Sequence, residues 1–280
     1  MQKKHPLVTA AIQLSSNNDR QQNVAKALEL IDEASARGAR LVALPEMFNY
    51  YSSLKEMVKN AEPVPGPTID ALAQKARANG LYILCGSIIE SAPDGKGFNT
   101  SVMVGPDGNI LGVYRKINLF DVEIPGKVRY GESEYILPGN EMVTLDVDGW
   151  VVGLAICYDL RFPEVFATLA SRGAEIVVMP TACTAYTGKD HWEVLLRARA
   201  IENQFFVVAP NRYGTSSDSF TTHGHSMIVD PWGTILSQAP DKVSVISAEL
   251  DIGVLQDVRR NMPMKRQNTY EVKEERRGAR

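Results

Sequence analysis

WVVGLAICYDLRFPEVFATLASRG, residues 150–173, carries a strand and a helix joined by a tight link. The near-continuous apolar run 151–156 predicts a buried strand of an α/β sheet, and residues 163–172 predict a helix closed by Gly173. Pro163 suits the first turn of that helix, where its missing N–H would be unpaired in any case. Residues 157–162 are then the link, and Cys157 stands where the strand stops. A thiol near a helix N-terminus feels the positive end of the dipole, which predicts a lowered pKa and a standing thiolate fraction at neutral pH. Taken alone, Cys157 also fits a buried structural cysteine.

Beyond this unit, residues 176–180 read as a strand, 191–204 as a helix and 205–210 as a strand, followed by a hairpin over 225–238 that turns at PWG. The N-terminal half runs in the same order. Strand 7–14 leads to a helix over 18–37, with Val24, Ala27, Leu28, Ile31 and Ala34 at helical spacing and Gly38 at its end. The short buried strand 41–44 ends in Pro45 and Glu46. A proline-rich loop, 62–68, precedes a helix with Ile69, Leu72, Ala73 and Ala76 on one face, stopped by Gly80, and strand 81–89 follows. Residues 98–116 read as an antiparallel hairpin about GPDGN, with Lys116 at the end of its second strand. Segment 117–140 shows no period and is long for a structureless connection, a mark of functional or mobile loops. A strand over 243–250 and a short helix over 253–260 close the pattern.

Two halves with one element order predict an α/β fold: two mixed sheets face to face with helices outside, a four-layer α-β-β-α sandwich. Residues 1–280 are expected to form a single domain with 261–280 as a C-terminal tail, polar, basic and solvated. Docking of that tail on a second subunit is the alternative. Net charge −3 and a pI near 5.9 give no electrostatic case for nucleic acid or an anionic membrane as partner. No apolar run approaches the roughly 18 to 20 residues that span a bilayer. The first apolar run is a strand's length and is followed by Gln13, Ser15 and Ser16, unlike a secretory signal. Three cysteines, an odd number, make no disulfide framework in so large a domain, so a cytoplasmic location is expected.

Glu46, Lys116 and Cys157 therefore stand at the ends of apolar strands. Each alone has a plain explanation: a helix cap, a strand-end charge, a core filler. Together they need partners, because desolvated charges must be paired. A carboxylate, an ammonium and a thiol in contact shift one another's pKa values and make a nucleophilic site.

These residues also carry a resemblance. LVALPEMF around Glu46, YRKINLFDVEIPG around Lys116 and GLAICYDLRFPE around Cys157 closely resemble the three signature segments of the nitrilase superfamily, the carbon-nitrogen hydrolases. GKDHWEVLLRARAIENQ and GHSMIVDPWGTILSQ match it too, so the similarity spans nearly the whole chain. CYDLRFPE looks like the amidase branch that includes omega-amidase and deaminated-glutathione amidase. The resemblance implies a Glu-Lys-Cys triad in which Glu46 is general base, Cys157 attacks an amide carbonyl to give a thioester, and Lys116 with the Tyr158 N–H holds the oxyanion. It further implies that Glu132, in YGESEY, holds Lys116 or steers the substrate nitrogen; the residues alone mark it only as one loop acid among several. A homodimer or higher homo-oligomer, a small-molecule amide such as 2-oxoglutaramate or deaminated glutathione, and no cofactor complete the expectation. N-carbamoyl amino acid or nitrile hydrolysis, and a catalytically silent scaffold, are the alternatives.

Phe48, Tyr51, Thr181 and Tyr186 follow strands that end near the site and are expected pocket walls. Arg161 either binds a substrate carboxylate or supports the Cys157 turn, the second being preferred. His191, His223 and His225 suggest a Cys-His pair, but no catalytic imidazole is needed if Glu46 is the base, and His191, near a helix start, and His225, at a strand start, read as hydrogen-bonding structural residues. Cys85 and Cys183 read as packed thiols, with Cys183 near enough to the site to line it. No CxxC, HExxH or clustered His/Cys spacing supports a metal, and no phosphate-cradling glycine loop supports a nucleotide.

Overall fold

The computed structural model describes residues 4–215 and 221–264. The expected solvated tail lies outside the described residues from position 265 onward. The first half runs β1 (Leu7–Gln13), α1 (Arg20–Ala36), β2 (Leu41–Ala43), α2 (Leu54–Lys59), α3 (Pro67–Asn79), β3 (Tyr82–Leu84), β4 (Ile88–Ser91), β5 (Gly97–Val104) and β6 (Ile110–Arg115). A small hairpin, β7 (Asp121–Ile124) and β8 (Val128–Gly131), intervenes. The second half runs β9 (Thr144–Val147), β10 (Trp150–Leu154), α4 (Pro163–Ser171), β11 (Ile176–Val178), α5 (Ala185–Asn203) and β12 (Phe206–Ala209). It closes with β13 (Tyr213–Thr215), β14 (Thr221–His223), β15 (Met227–Val229), β16 (Ile235–Gln238), β17 (Ser244–Leu250) and α6 (Ile252–Asn261).

Two large sheets result. One has the order β17-β1-β2-β3-β5-β4 with β6 paired to β5; the other has the order β16-β15-β12-β11-β10-β9. Each is built on three parallel strands, β1-β2-β3 and β10-β11-β12, with antiparallel neighbours on both sides. The period-2 alternation of side chains sorts the cores. Leu41 and Ala43 of β2 meet Val152 and Leu154 of β10, Ile176 and Val178 of β11 and Phe206 and Val208 of β12 in the space between the sheets. Val42 points the other way, into a layer with Ala27, Leu30 and Ile31 of α1 and Ile69 and Leu72 of α3. On the far side Val177 and Val207 face Phe166 and Leu169 of α4 and Trp192 and Leu196 of α5. The four-layer α-β-β-α sandwich is thus the observed architecture.

Three local expectations fail for identifiable reasons. The single strand expected over 81–89 is two, β3 and β4, broken at Gly86, whose φ of +50° suits glycine. A Cβ there would sit 2.1 Å from the Pro45 carbonyl oxygen, so this glycine also lets the chain pass against the strand end that carries Glu46. Apolar residues on both sides of the break hid it. The helix expected over 191–204 begins six residues earlier, at Ala185, where the Thr184 hydroxyl accepts from the Thr187 N–H at 3.2 Å. Polar residues in that first turn masked its period. Segment 117–140, expected without structure, contains the β7–β8 hairpin and a 3₁₀ turn over Glu132–Glu134.

Candidate active site

Strand direction brings the candidate residues together. β6 is antiparallel to β5, which is antiparallel to β3, so β6 runs the same way as β2 and β3. Lys116 therefore leaves the sheet at the same end as Glu46. Both are 2% exposed, and Glu132 is fully buried. The Lys116 Nζ donates to Glu132 Oε2 at 2.8 Å and to Glu46 Oε1 at 3.2 Å. Asn99, on β5, ties the two acids from behind: its Nδ2 donates to Glu46 Oε1 at 2.9 Å and to Glu132 Oε1 at 3.1 Å. The Phe120 N–H donates to Glu132 Oε2 at 2.6 Å. Burial opposes the Lys116 charge, but the Glu132 and Glu46 carboxylates outweigh it and hold the ammonium's pKa well above its ordinary value.

Cys157 enters from the other sheet, after β10. Its backbone is left-handed, with φ of +46°, a conformation that costs a non-glycine residue about 1–3 kcal/mol. Its N–H donates to the Pro180 carbonyl at 2.9 Å, fixing the turn to the end of β11. Asp159, fully buried two residues on, organises the link: its carboxylate accepts from the Ile156 N–H at 2.9 Å, the Tyr114 hydroxyl at 2.7 Å, and the Asn118 N–H and Nδ2 at 3.0 and 2.8 Å. One acid thereby joins the Cys157 turn to the segment that follows Lys116. The Cys157 thiol is hydrogen bonded to the Glu46 carboxylate and lies in the field of Lys116.

The thiolate expected from a helix dipole is not found. Residues Cys157–Arg161 form a short 3₁₀ turn, and the α-helix begins only at Pro163. Burial pushes the Cys157 thiol well above its ordinary pKa, and the Glu46 charge adds to this; Lys116 and the Ala182 N–H pull the other way and lose.

Glu46, Lys116, Glu132 and Cys157 line one cleft of about 660 Å³, counting its open mouth. Tyr51 and Thr181, two of the expected pocket walls, line it as well, and so do Tyr158 and Arg161. Phe48 does not. It is fully buried among Ile12, Val42 and Ile69, on the opposite face of its strand end from Glu46. Tyr186 also stays out of the cleft: at 43% exposure it faces solvent, with the Lys127 and Lys189 ammonium groups 5.7 and 5.9 Å from its ring centre. The helix turn that carries Tyr186 presents Thr187, Gly188 and His191 to the cleft instead. Gly188 permits this, since a Cβ there would meet the His223 side chain at 2.4 Å.

Arg161 lines the cleft, where its guanidinium contacts His191 Nδ1 at 3.1 Å; the turn it was expected to support is held by Asp159. Among the described residues Arg161 has no carboxylate within ion-pair distance. His225 pairs with Asp241 at 3.1 Å and stacks near His223. Cys183 lines the cleft, its sulfur accepting from Asn211 Nδ2 at 3.0 Å and its pKa pushed up to about 12, chiefly by burial. Asn99, Asp159, Phe120 and Tyr130 were not singled out from sequence. Asn99 sits inside a strand run that reads as core, and only the pairing of β5 with β6 puts it beside Lys116.

Among the described residues no three His, Cys, Asp or Glu side chains gather as a metal site. No helix among them is long and apolar enough to cross a membrane.

The carbon-nitrogen hydrolase family model matches residues 8–260. Over 255 residues the chain is 41% identical to omega-amidase NIT2-B of Xenopus laevis, covering 90% of this chain and 92% of that protein. It is 38% identical to human omega-amidase NIT2 over 263 residues, 94% of this chain and 95% of that one. The C. elegans NitFhit protein superposes with a TM-score of 0.87 at 36% identity, covering 93% of this chain and 64% of that longer one. Saccharomyces cerevisiae Nit3, a member of branch 10 of the nitrilase superfamily, gives 0.85 at 32% identity, covering 95% and 97%. The chain belongs to the carbon-nitrogen hydrolase family, within the nitrilase superfamily. It is a hydrolase of carbon–nitrogen bonds, of the amidase kind.

Proposed function

We propose that this amidase removes the terminal amide of a small carboxylic acid amide, releasing ammonia through a Cys157 thioester, with 2-oxoglutaramate as the leading substrate and deaminated glutathione as a longer one. The observation that carries the reading is the buried Glu46–Lys116–Glu132 cluster against the Cys157 thiol, in one cleft whose wall holds Arg161, which has no carboxylate partner among the described residues. The omega-amidase names of relatives at about 40% identity point the same way.

As sulfur attacks the amide carbon, Glu46 takes the thiol proton, which a thiol of raised pKa does not give up unaided. The oxyanion forms between the Lys116 ammonium and the Tyr158 N–H. Glu46 then passes its proton to the departing nitrogen and ammonia leaves, with Cys157 acylated. A water enters, loses a proton to Glu46 and attacks the thioester; collapse returns that proton to the sulfur and frees the acid. Glu132 contributes by holding Lys116 in place and charged. Arg161 anchors the far carboxylate, which fixes the chain length between that anchor and Cys157. A homodimer and a cytoplasmic location belong to the same reading. Val194 and Ile201, exposed on α5, support the dimer, and light scattering tests it.

A panel of ω-amides, N-carbamoyl amino acids and nitriles assayed for ammonia tests the substrate class. Short ω-amides of dicarboxylates are expected to turn over fastest, with no release by Cys157→Ala. Faster release from a carbamoyl amino acid or a nitrile would overturn the choice of substrate.

A further inference from the structure

Arg212 is fully buried, and among the described residues no carboxylate lies within ion-pair distance of it. A buried charge without a counter-ion is expensive, so what holds it and what it faces both matter. Its guanidinium donates to the Ser16 hydroxyl at 3.1 Å, the Ser16 carbonyl at 2.6 Å, the Thr222 hydroxyl at 3.1 Å and the Gly214 carbonyl at 3.3 Å. These acceptors are neutral. The remaining contact is the face of Tyr51, whose ring centre is 3.9 Å from the guanidinium carbon, a close cation–π stack. Tyr51 also lines the cleft, so this positive charge packs directly against a residue of the cleft wall.

Charge counting shows why that matters. Glu46, Glu132 and Lys116 together carry one net negative charge in a buried cluster. An anionic amide entering the cleft therefore meets repulsion at its reacting end. The buried Asp159 carboxylate beside the Cys157 turn adds a second negative charge; Arg161 on the cleft wall offsets one of the two and Arg212, stacked on Tyr51, offsets the other. We propose that Arg212 is a specificity-determining positioning residue: its buried charge, stacked on the Tyr51 ring of the cleft wall, biases the pocket toward anionic amides. This rests on the amidase reading above. An anion lying against Tyr51 would be about 8 Å from the guanidinium, where an unscreened charge at protein-like dielectric changes binding about five- to thirtyfold.

A structural role for Arg212 is also drawn in the same bonds. Ser16, which it holds, donates from its hydroxyl to the carbonyl of Met47, the residue after Glu46. Loss of that support alone would lower turnover of every amide alike, whereas loss of the charge would penalise anionic amides selectively and act on KM.

The test compares glutaramate with valeramide, its neutral counterpart of the same length, in wild type, Arg212→Met and Arg212→Lys. The expected result is a five- to thirtyfold fall in the glutaramate-to-valeramide ratio of kcat/KM for Arg212→Met, carried by KM. Arg212→Lys, which keeps the charge, should hold the ratio within about threefold of wild type. An unchanged ratio in Arg212→Met, or an equal fall for both amides, overturns the proposal. Should Arg212→Met fail to fold, Arg161→Met supplies the second arm: its residual preference for glutaramate should survive added salt, since a buried charge is poorly screened, and loss of that preference in salt contradicts the proposal. A wild type that hydrolyses neither amide overturns the amidase reading and this inference together; a wild type that prefers glutaramate while Arg212→Met prefers it equally overturns only this one.

Discussion

Glu46, Lys116 and Glu132, on the floor of the cleft, are at most 2% exposed, whereas Lys127, Tyr186 and His191 beside its mouth stand in solvent. The floor is set by strand ends. Parallel pairing of β2 and β3, two antiparallel reversals through β5 to β6, and the face-to-face sheet leave its side chains little freedom. The mouth is set by the first turn of α5 and the β7–β8 hairpin, whose strands hold one buried residue, Val128, among half-buried and exposed ones. The proposed chemistry thus falls on side chains fixed by buried hydrogen bonds, and the mouth on segments with fewer buried contacts.

Substitutions that respect or violate this division should differ sharply. The largest effect belongs to the floor. In the proposed mechanism Lys116→Met removes an oxyanion donor, and kcat is expected to fall about 10²- to 10³-fold. It also leaves two buried carboxylates facing each other, so urea unfolding should show a loss of about 3–5 kcal/mol. Retention of activity near wild type would dissolve the distinction between floor and mouth. Next comes the contrast between the two aromatic residues wrongly expected in the pocket. Phe48→Ala should cost about 3–5 kcal/mol of stability through the cavity it leaves, while KM stays near wild type wherever the protein is folded. Tyr186→Ala should change stability by no more than about 0.5 kcal/mol. Denaturation and steady-state kinetics on both would sharpen the comparison.

The smallest effect is a matter of pH. Because burial and Glu46 raise the Cys157 pKa well above 9, its proton is retained across neutrality. Alkylation of Cys157 by a small neutral reagent should then show no thiolate inflection between about pH 6 and 8. A lowered thiol pKa would instead appear as an inflection in that window, and the reading of Glu46 as the base would lose its need.

Much of this division was legible before any coordinates. Glu46, Lys116 and Cys157 each interrupt an apolar run at its end, a place where a polar side chain demands a partner, and the repeated β-α-β-α-β order supplied the two sheets that let them meet. Glu132 is different. It lies in an aperiodic stretch where residue type and spacing distinguish it from no other acid, and only the family resemblance marked it. Asn99 was illegible because it opens a polar run in β5, Asn99-Thr100-Ser101, and nothing in that run says which member meets the Lys116 amine. Phe48 was misplaced because the chain leaves extended geometry after β2: Glu46 and Met47 form a turn with Met47 at φ +52°, so the alternation that would put residues 46 and 48 on one face does not continue. Tyr186 failed through the unseen start of α5, since moving a helix start by six residues changes which side chains face inward. The Cys157 thiolate failed because a dipole argument needs a real helix, and a 3₁₀ turn inside a buried pocket supplies less field than burial takes away.

The proposed reaction turns on acyl transfer to one sulfur atom, which mass spectrometry reads directly. Protein quenched in acid during turnover of glutaramate should carry an added mass equal to the amide less ammonia, on the peptide that contains Cys157. Added hydroxylamine should divert the product to the hydroxamate. An adduct on any other residue, or ammonia release by Cys157→Ala at the wild-type rate, would contradict it.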